Sequence, residues 1–275
     1  MQSTAGIELL KHLNLRWVAI NRNTSSQSGF NFRLSRPTGQ LSSFVQAIWS
    51  ASVCQPDSVE KSLYSDAGSG ILFNLNGGVK MGKDELPKGV IMLPIKKQAE
   101  KIVLAGGAQL AGIRFHPAIG YGVLGRHYDK PTLLLPENDQ QLHLYQIYSE
   151  LRMQSNIDVQ IEALNFWVEN NLDFIDVIPS ALERALDVIE QGEMPGRLSG
   201  EVELSQRQIE RIFKHWMLMT PKHYQRILRV KKAIHFLRRD QKVNLTDVSL
   251  QFGFSDQAHM TREFRSIAGT TPGQI

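Results

Sequence analysis

The sequence predicts an α+β fold. A β-rich, sandwich- or barrel-like domain with flanking helices precedes an all-α domain of two helix-turn-helix units joined by a long helix. Three observations carry this expectation. Short apolar runs punctuated by Gly, Pro, Asn and Asp fill residues 41–135. Apolar residues recur at helical intervals from about residue 141 onward. Positive charge gathers in the last third of the chain. A length of 275 residues favours two domains, and an apolar share of 42% is enough to build real cores.

Residues 1–40 are polar and rich in Ser, Asn and Gln, which predicts a loose arm or a peripheral hairpin. Their best apolar stretch, 7–20, is interrupted by Glu8, Lys11, His12, Asn14 and Arg16, so no secretory signal is expected. No apolar run approaches the ~20 residues that cross a bilayer, so no membrane partner is expected and the cytoplasm is the expected location. The runs at 44–49, 70–75, 89–93, 101–105 and 109–115 read as strands. Their separators are Asn76-Gly77-Gly78, Leu86-Pro87-Lys88-Gly89 and Ala105-Gly106-Gly107, all turn formers. Residues 1–140 thus read as one β-rich domain.

Beyond Pro136 the period changes. Leu144, Tyr148 and Leu151, then Ile157, Ile161, Leu164 and Trp167, predict two helices within a linker at 141–178, broken near residues 156–158. They either pack on the β domain or pair with a second copy of the chain. Pro179 ends the linker, and Ser180 with Glu183 three residues on has the pattern of a capping box. From 179 to 275 the chain reads as helical.

Two helix-turn-helix patterns follow in tandem, at about 198–217 and 245–268. In the second, Leu245, Val248 and Phe252 face inward, Gly253 supplies the turn, Ser255 or Asp256 caps the next helix, and Met260 and Phe264 return to the core. The outward set is then Ser255, Gln257, Ala258, Thr261, Arg262 and Arg265. In the first, Ser205 caps with Gln208, Ile209, Ile212 and Phe213 form the buried stripe, and Gln206, Arg207, Glu210, Arg211 and Lys214 face out. Arginine can hold guanine O6 and N7 with two bonds, while Lys and hydroxyl groups more often anchor phosphates. A connecting helix after Thr220-Pro221 carries Tyr224, Ile227, Leu228, Val230, Ile234 and Leu237, with Arg226, Arg229, Lys231 and Lys232 interleaved. If it spaces the two outer helices by about one DNA turn (~34 Å), both can enter successive major grooves.

Charge agrees with that pattern. Residues 205–242 hold 11 Lys and Arg against Glu210 and Asp240, whereas residues 1–179 are balanced at 16 against 16. A neutral half joined to a basic one suggests a nucleic-acid module on a non-binding partner, although a solvated basic helix face gives the same count.

At this point the last ~95 residues resemble the AraC/XylS-type DNA-binding domain. The resemblance is carried by Leu198, Ser205, Arg211, Phe213, Pro221, Ala233, Gly253-Phe254-Ser255, Arg262, Phe264 and Gly269-Thr270-Thr271-Pro272. Three positions depart from the family pattern: Glu203 and Leu218 stand where Gly is usual, and Ser249 where a small Ala is usual. The N-terminal half, through its runs at 44–49, 70–75 and 111–117, is similar to an uncharacterised domain found ahead of some such regulators. The resemblance implies a sequence-specific regulator of transcription, with activation the more common outcome. Its partners would be double-stranded DNA, RNA polymerase, an unknown small-molecule or protein effector and a second copy of itself. The alternative keeps DNA binding and makes the N-terminal half only a protein-interaction module.

Arg114 and Trp49 are the candidate ligand-binding residues of the N-terminal half. A buried Arg114 needs either an anionic effector or a structural Asp or Glu, and the structural pair is favoured. The aromatics Phe30, Phe32, Trp49, Phe73, Tyr121 and Tyr128 either line a pocket or pack a core. His116, His127 and His143 have no Cys or carboxylate spacing of a metal site, so neither metal nor cofactor is expected. The single cysteine, Cys54, excludes an intramolecular disulfide and reads as a small buried apolar residue. Met217, Met219 and Met260 read as core. No nucleophile–base pair, paired acids or phosphate loop appears, so an enzyme is not expected.

Overall fold

The computed structural model describes residues 29–174, 176–240 and 243–275. The expected arm at 1–28 and the apolar stretch within it lie outside the described residues. Residues 30–35 are no loose arm: they form an edge strand paired antiparallel with the following strand at Val45–Val53, the peripheral-hairpin alternative.

Among the described residues, ten antiparallel strands build two sheets. The first has the order β1 (Phe30–Ser35), β2 (Val45–Val53), β9 (Gln109–Phe115), β4 (Gly70–Asn76), β7 (Gly89–Leu93) and β10 (Thr132–Leu133). The second has the order β3 (Val59–Leu63), β8 (Glu100–Leu104), β5 (Val79–Met81) and β6 (Asp84–Leu86). Side-chain alternation explains the layers. In β4, Leu72 faces the second sheet with Ile91 and Leu110, while its neighbours Ile71 and Phe73 face the other way with Val90, Met92 and Ala111. That other face is covered by α2 (Leu144–Met153) and α3 (Ile157–Asn171), through Leu144, Ile147, Leu151, Leu164 and Val168. A strand buried on both faces reads as a continuous apolar run, which is why β4 shows no alternation in sequence. The two predicted linker helices therefore pack on the β sheet. Asn156 caps the second of them, accepting from the Asp158 N–H. A short α1 (Ile119–Leu124) follows β9.

The C-terminal part is helical: α4 (Ser180–Glu190), α5 (Leu198–Glu201), α6 (Gln206–Met217), α7 (Pro221–Arg239), α8 (Leu245–Gln251) and α9 (Gln257–Ala268). One core joins Leu186, Leu198, Phe213, Tyr224, Ile227, Ala233, Met260 and Phe264, and Met217 and Met219 are buried in it. The start of α4 differs from expectation. Pro179 occupies the cap, Ser180 is already helical and its hydroxyl caps nothing. Its N–H lies in the first turn of the helix, where Pro179 fixes the entry of the backbone.

The positions where the sequence departs from the family pattern are explained by the backbone. Glu203 (φ +55) and Leu218 (φ +54) both take the left-handed conformation, which glycine adopts without a Cβ clash. Ser249 is fully buried, and its hydroxyl is satisfied by the Thr246 carbonyl at 2.7 Å. Glu203→Gly should therefore raise stability by about 0.5–1 kcal/mol, the relief of strain exceeding the extra freedom of the unfolded chain. Urea unfolding of the variant checks this, with Glu203→Ala, which keeps the Cβ, expected to show no gain.

Candidate nucleic-acid interface

Local chemistry sets up the first outer helix. Ser205 and Gln208 form a reciprocal capping box at the start of α6. Ile209, Phe213 and Met217 fall on the buried stripe, with Ile212 only partly covered. That phase leaves Arg207, Glu210, Arg211 and Lys214 exposed. Arg207 and Arg211 sit one turn apart on the same face. Gln206 is partly buried, so it is set back from the other four.

The second outer helix is fixed at both its start and its middle. Gly253 (φ +72) makes the turn, and Asp256 caps α9 by accepting the His259 N–H at 2.6 Å. Of the two candidate caps it is Asp256 that takes the role. Its carboxyl is held below the usual range first by that backbone hydrogen bond. Gln257, Ala258, Arg262 and Arg265 are exposed, as is Ser255 just before the helix. Thr261 is half-buried, and its hydroxyl is spent on the Gln257 carbonyl at 2.9 Å. Glu263, only 8% exposed, accepts Arg226 Nε at 2.8 and 3.1 Å and so ties α9 to α7. Sequence reading missed this pair; the signal was there, since Glu263 lies within the Met260–Phe264 buried stripe.

The connecting helix α7 differs from its sequence expectation. Its interleaved cations are internal groups. Arg226 binds Glu263, Arg229 lies 5.4 Å above the Phe254 ring, and Lys232 Nζ donates to the Glu190 carbonyl at 2.7 Å. Lys231 faces Asp66 of the β domain, which opposes the fall in its pKa that burial causes. The basic count of 205–242 therefore overstates the charge offered outward. What remains exposed in that stretch, among the described residues, is Arg207, Arg211 and Lys214 on α6 and Lys222 and Arg239 at the two ends of α7.

In the β domain, Arg114 is buried and Asp66 is only 1% exposed. The guanidinium holds the carboxylate with two bonds, Nε to Oδ2 at 2.9 Å and Nη2 to Oδ1, and Nη2 also donates to the Gly68 carbonyl at 2.8 Å. Burial pushes the Asp66 carboxyl up, but Arg114 and Lys231 more than offset this and hold it below the usual range. Asp66 carried no periodic signal; it sits in a loop 48 residues from its partner.

Arg114 also lies on the wall of an apolar cavity of about 90 Å³, with Trp49, Phe30, Phe32, Met81 and Ile102. Phe32 stacks between Phe30 and Trp49, with centroids 6.3 Å apart on each side. Gly112 makes room for the indole, since a Cβ there would come within 2.6 Å of Trp49 Cζ2. The other aromatics are elsewhere: Phe73 is on the helix-covered face, Tyr121 meets α6, and Tyr128 lies under Arg126. Cys54 is exposed, contrary to expectation, because it follows the last residue of β2, and its Sγ accepts from Asn31 Nδ2 at 3.3 Å.

Residues 198–275 match a family model described as a helix-turn-helix domain. The HTH-type transcriptional regulator ArgR of Pseudomonas aeruginosa is 32% identical over 84 residues, 30% of this chain and 25% of the relative. The HTH-type transcriptional activator RhaS of Escherichia coli O9:H4 is 33% identical over 78 residues, 28% of each chain. The chain thus matches about a quarter of the length of these curated relatives. Among solved structures, an AraC-type transcriptional regulator from Chromobacterium violaceum is 26% identical with a TM-score of 0.32, covering 34% of this chain and 87% of that one. ToxT from Vibrio cholerae is 12% identical with a TM-score of 0.46, covering 90% and 97%. Residues 198–275 thus match a helix-turn-helix domain, and in the fold this span holds α5 to α9.

Proposed function

We propose that this chain is a sequence-specific DNA-binding regulator of transcription that reads DNA with α6 and α9. One observation carries the reading: Arg226, Arg229 and Lys232 of the connecting helix are spent on partners within the protein, whereas Arg207, Arg211, Arg262 and Arg265 are exposed on the two outer helices. The connecting α7, with 19 residues, is ~28 Å long, close to one turn of DNA. Arg207, Arg211 and Arg262 are assigned to base edges, and Lys214, Ser255 and Arg265 to phosphates. Gln206, Glu210, Gln257, Ala258 and Thr261 complete the two faces.

Activation through contact with RNA polymerase is the proposed sign, in line with the name of the RhaS relatives. The cavity beside Trp49 and Arg114 is the proposed effector site, sized for a small apolar molecule. Coupling has a physical route, because Arg114 touches both the cavity and Asp66, which faces Lys231 of α7. Pairing of two copies in a bacterial cytoplasm completes the proposal.

The test is fluorescence anisotropy on DNA from upstream of the gene against scrambled DNA, across a salt series. Arg262→Ala should weaken specific binding by about 1–3 kcal/mol and relax choice at one base pair. Equal discrimination by wild type and variant would sink the assignment of Arg262. Effector binding is read separately by thermal shift, where a ligand at 100 times its Kd adds ~2.7 kcal/mol.

A further inference from the structure

The carbonyls of the last turn of any α-helix have no partner inside the helix. In α6 one of them is His215 O, and its donor comes from the β domain: His127 Nε2 lies 2.6 Å away. A carbonyl only accepts, so this ring nitrogen carries the proton. In α9 one of the same group is Ile267 O, and its donor again comes from the β domain, the Ala99 N–H at 2.7 Å. His127 follows α1, and Ala99 lies in the loop between β7 and β8.

Side chains reinforce the first contact. Tyr121 of α1 stacks on His127 at 4.3 Å and meets Trp216 edge-on at 4.9 Å, and its hydroxyl lies 3.1 Å from His215 Nε2. Between the two helix ends the connecting helix is held as well, with Arg238 5.4 Å above the Tyr64 ring. The β domain thus grips both outer helices at their C-terminal ends and leaves their N-terminal turns open, where a helix meets base edges.

We propose that the β domain is a positioning element for DNA reading: by capping the C-terminal carbonyls of α6 and α9 it sets the angle between them, and so the spacing of the two DNA motifs they can enter together. This rests on the DNA-reading proposal above and extends it to residues outside 198–275. Tyr121, His127 and Ala99 are positioning residues, none of them belonging to α6 or α9.

The experiment uses the full chain with two variants. Tyr121→Ala with His127→Ala removes the α6 cap, and Ala99→Pro removes the donor to α9. Amide exchange without DNA should accelerate at least 5-fold at residues 212–220 in the first and 265–271 in the second, with the centre of α7 unchanged. On operator DNA with one or two base pairs inserted between the motifs, wild type should lose at least 10-fold in affinity and the variants less than 3-fold. Should the double variant not fold, His127→Ala alone deletes the donor and carries both readouts. Unchanged exchange at the helix ends overturns the capping. Faster exchange with wild-type spacing selectivity overturns the positioning role. A wild type that prefers no DNA sequence overturns the regulator reading and the positioning role with it, and the exchange result then still separates that failure from a failure of the caps.

Discussion

Asp66→Asn is expected to lower the free energy of unfolding by about 3–5 kcal/mol, the largest single effect in the molecule. The substitution keeps the volume and removes only the charge. It strips the buried Arg114 guanidinium of its carboxylate and leaves Lys231 facing a neutral amide. Desolvation of these cations is then no longer offset by attraction. The double variant Asp66→Asn with Arg114→Met should recover a good part of the loss, since it removes a buried charge together with its unmet need. Urea unfolding of the single and double variants gives the coupling energy of the pair. A loss below 1 kcal/mol for Asp66→Asn would show that the charge is solvated in the folded protein. Because Lys231 belongs to α7, the same variant should also loosen the contact between the two parts of the chain.

The second large effect is acid sensitivity. His116 follows β9 and is held near pKa 4, below its ordinary value of 6.5, first by burial and then by the charge of Lys231; Asp66 and a hydrogen bond to the Ser42 backbone act in the opposite sense. The unfolded chain binds this proton at about 6.5 and the folded one only near 4. Between those values the unfolded state holds more protons, so stability falls as the pH falls. The loss from pH 7 to pH 4 is ~3 kcal/mol. Asp187 works against it. Burial and the neighbouring Glu190 and Glu183 raise its carboxyl to about 6. The folded state therefore binds that proton more tightly, and between about 4 and 6 this group gains stability as the pH falls. Comparing wild type with His116→Gln isolates the histidine. The variant should lose markedly less stability between pH 7 and pH 4 than wild type, and parallel pH profiles would defeat the assignment.

Much of this molecule was legible in its sequence. The runs at 70–75, 89–93 and 109–115 became β4, β7 and β9, because a short apolar run between turn formers has few ways to bury both faces other than as a central strand. Strands β3, β5 and β6 were not legible: they are only 5, 3 and 3 residues long and mostly half-covered, too short to show a period. Both helix-turn-helix units were legible from Ser205 with Gln208, from Gly253 and from the phase of Ile209, Phe213, Met260 and Phe264, since caps and helical period are local properties. Cys54 and Ser180 went the other way, one turned to solvent by the end of a strand, the other displaced from its cap by Pro179.

The fold class and the outward phase of Arg207, Arg211 and Arg262 could be read locally, because both follow from interactions within about one helical turn or one strand. Where the other charges go depends on packing between segments far apart in the chain. Arg226, Lys231 and Lys232 read as a basic face but face Glu263, Asp66 and Glu190, each 37 or more positions away in the chain. Charge on a side chain is local, but whether it meets water or a buried carboxylate depends on packing between distant segments. For the same reason no local signal could announce that His127 and Ala99 of one domain complete the helices of another.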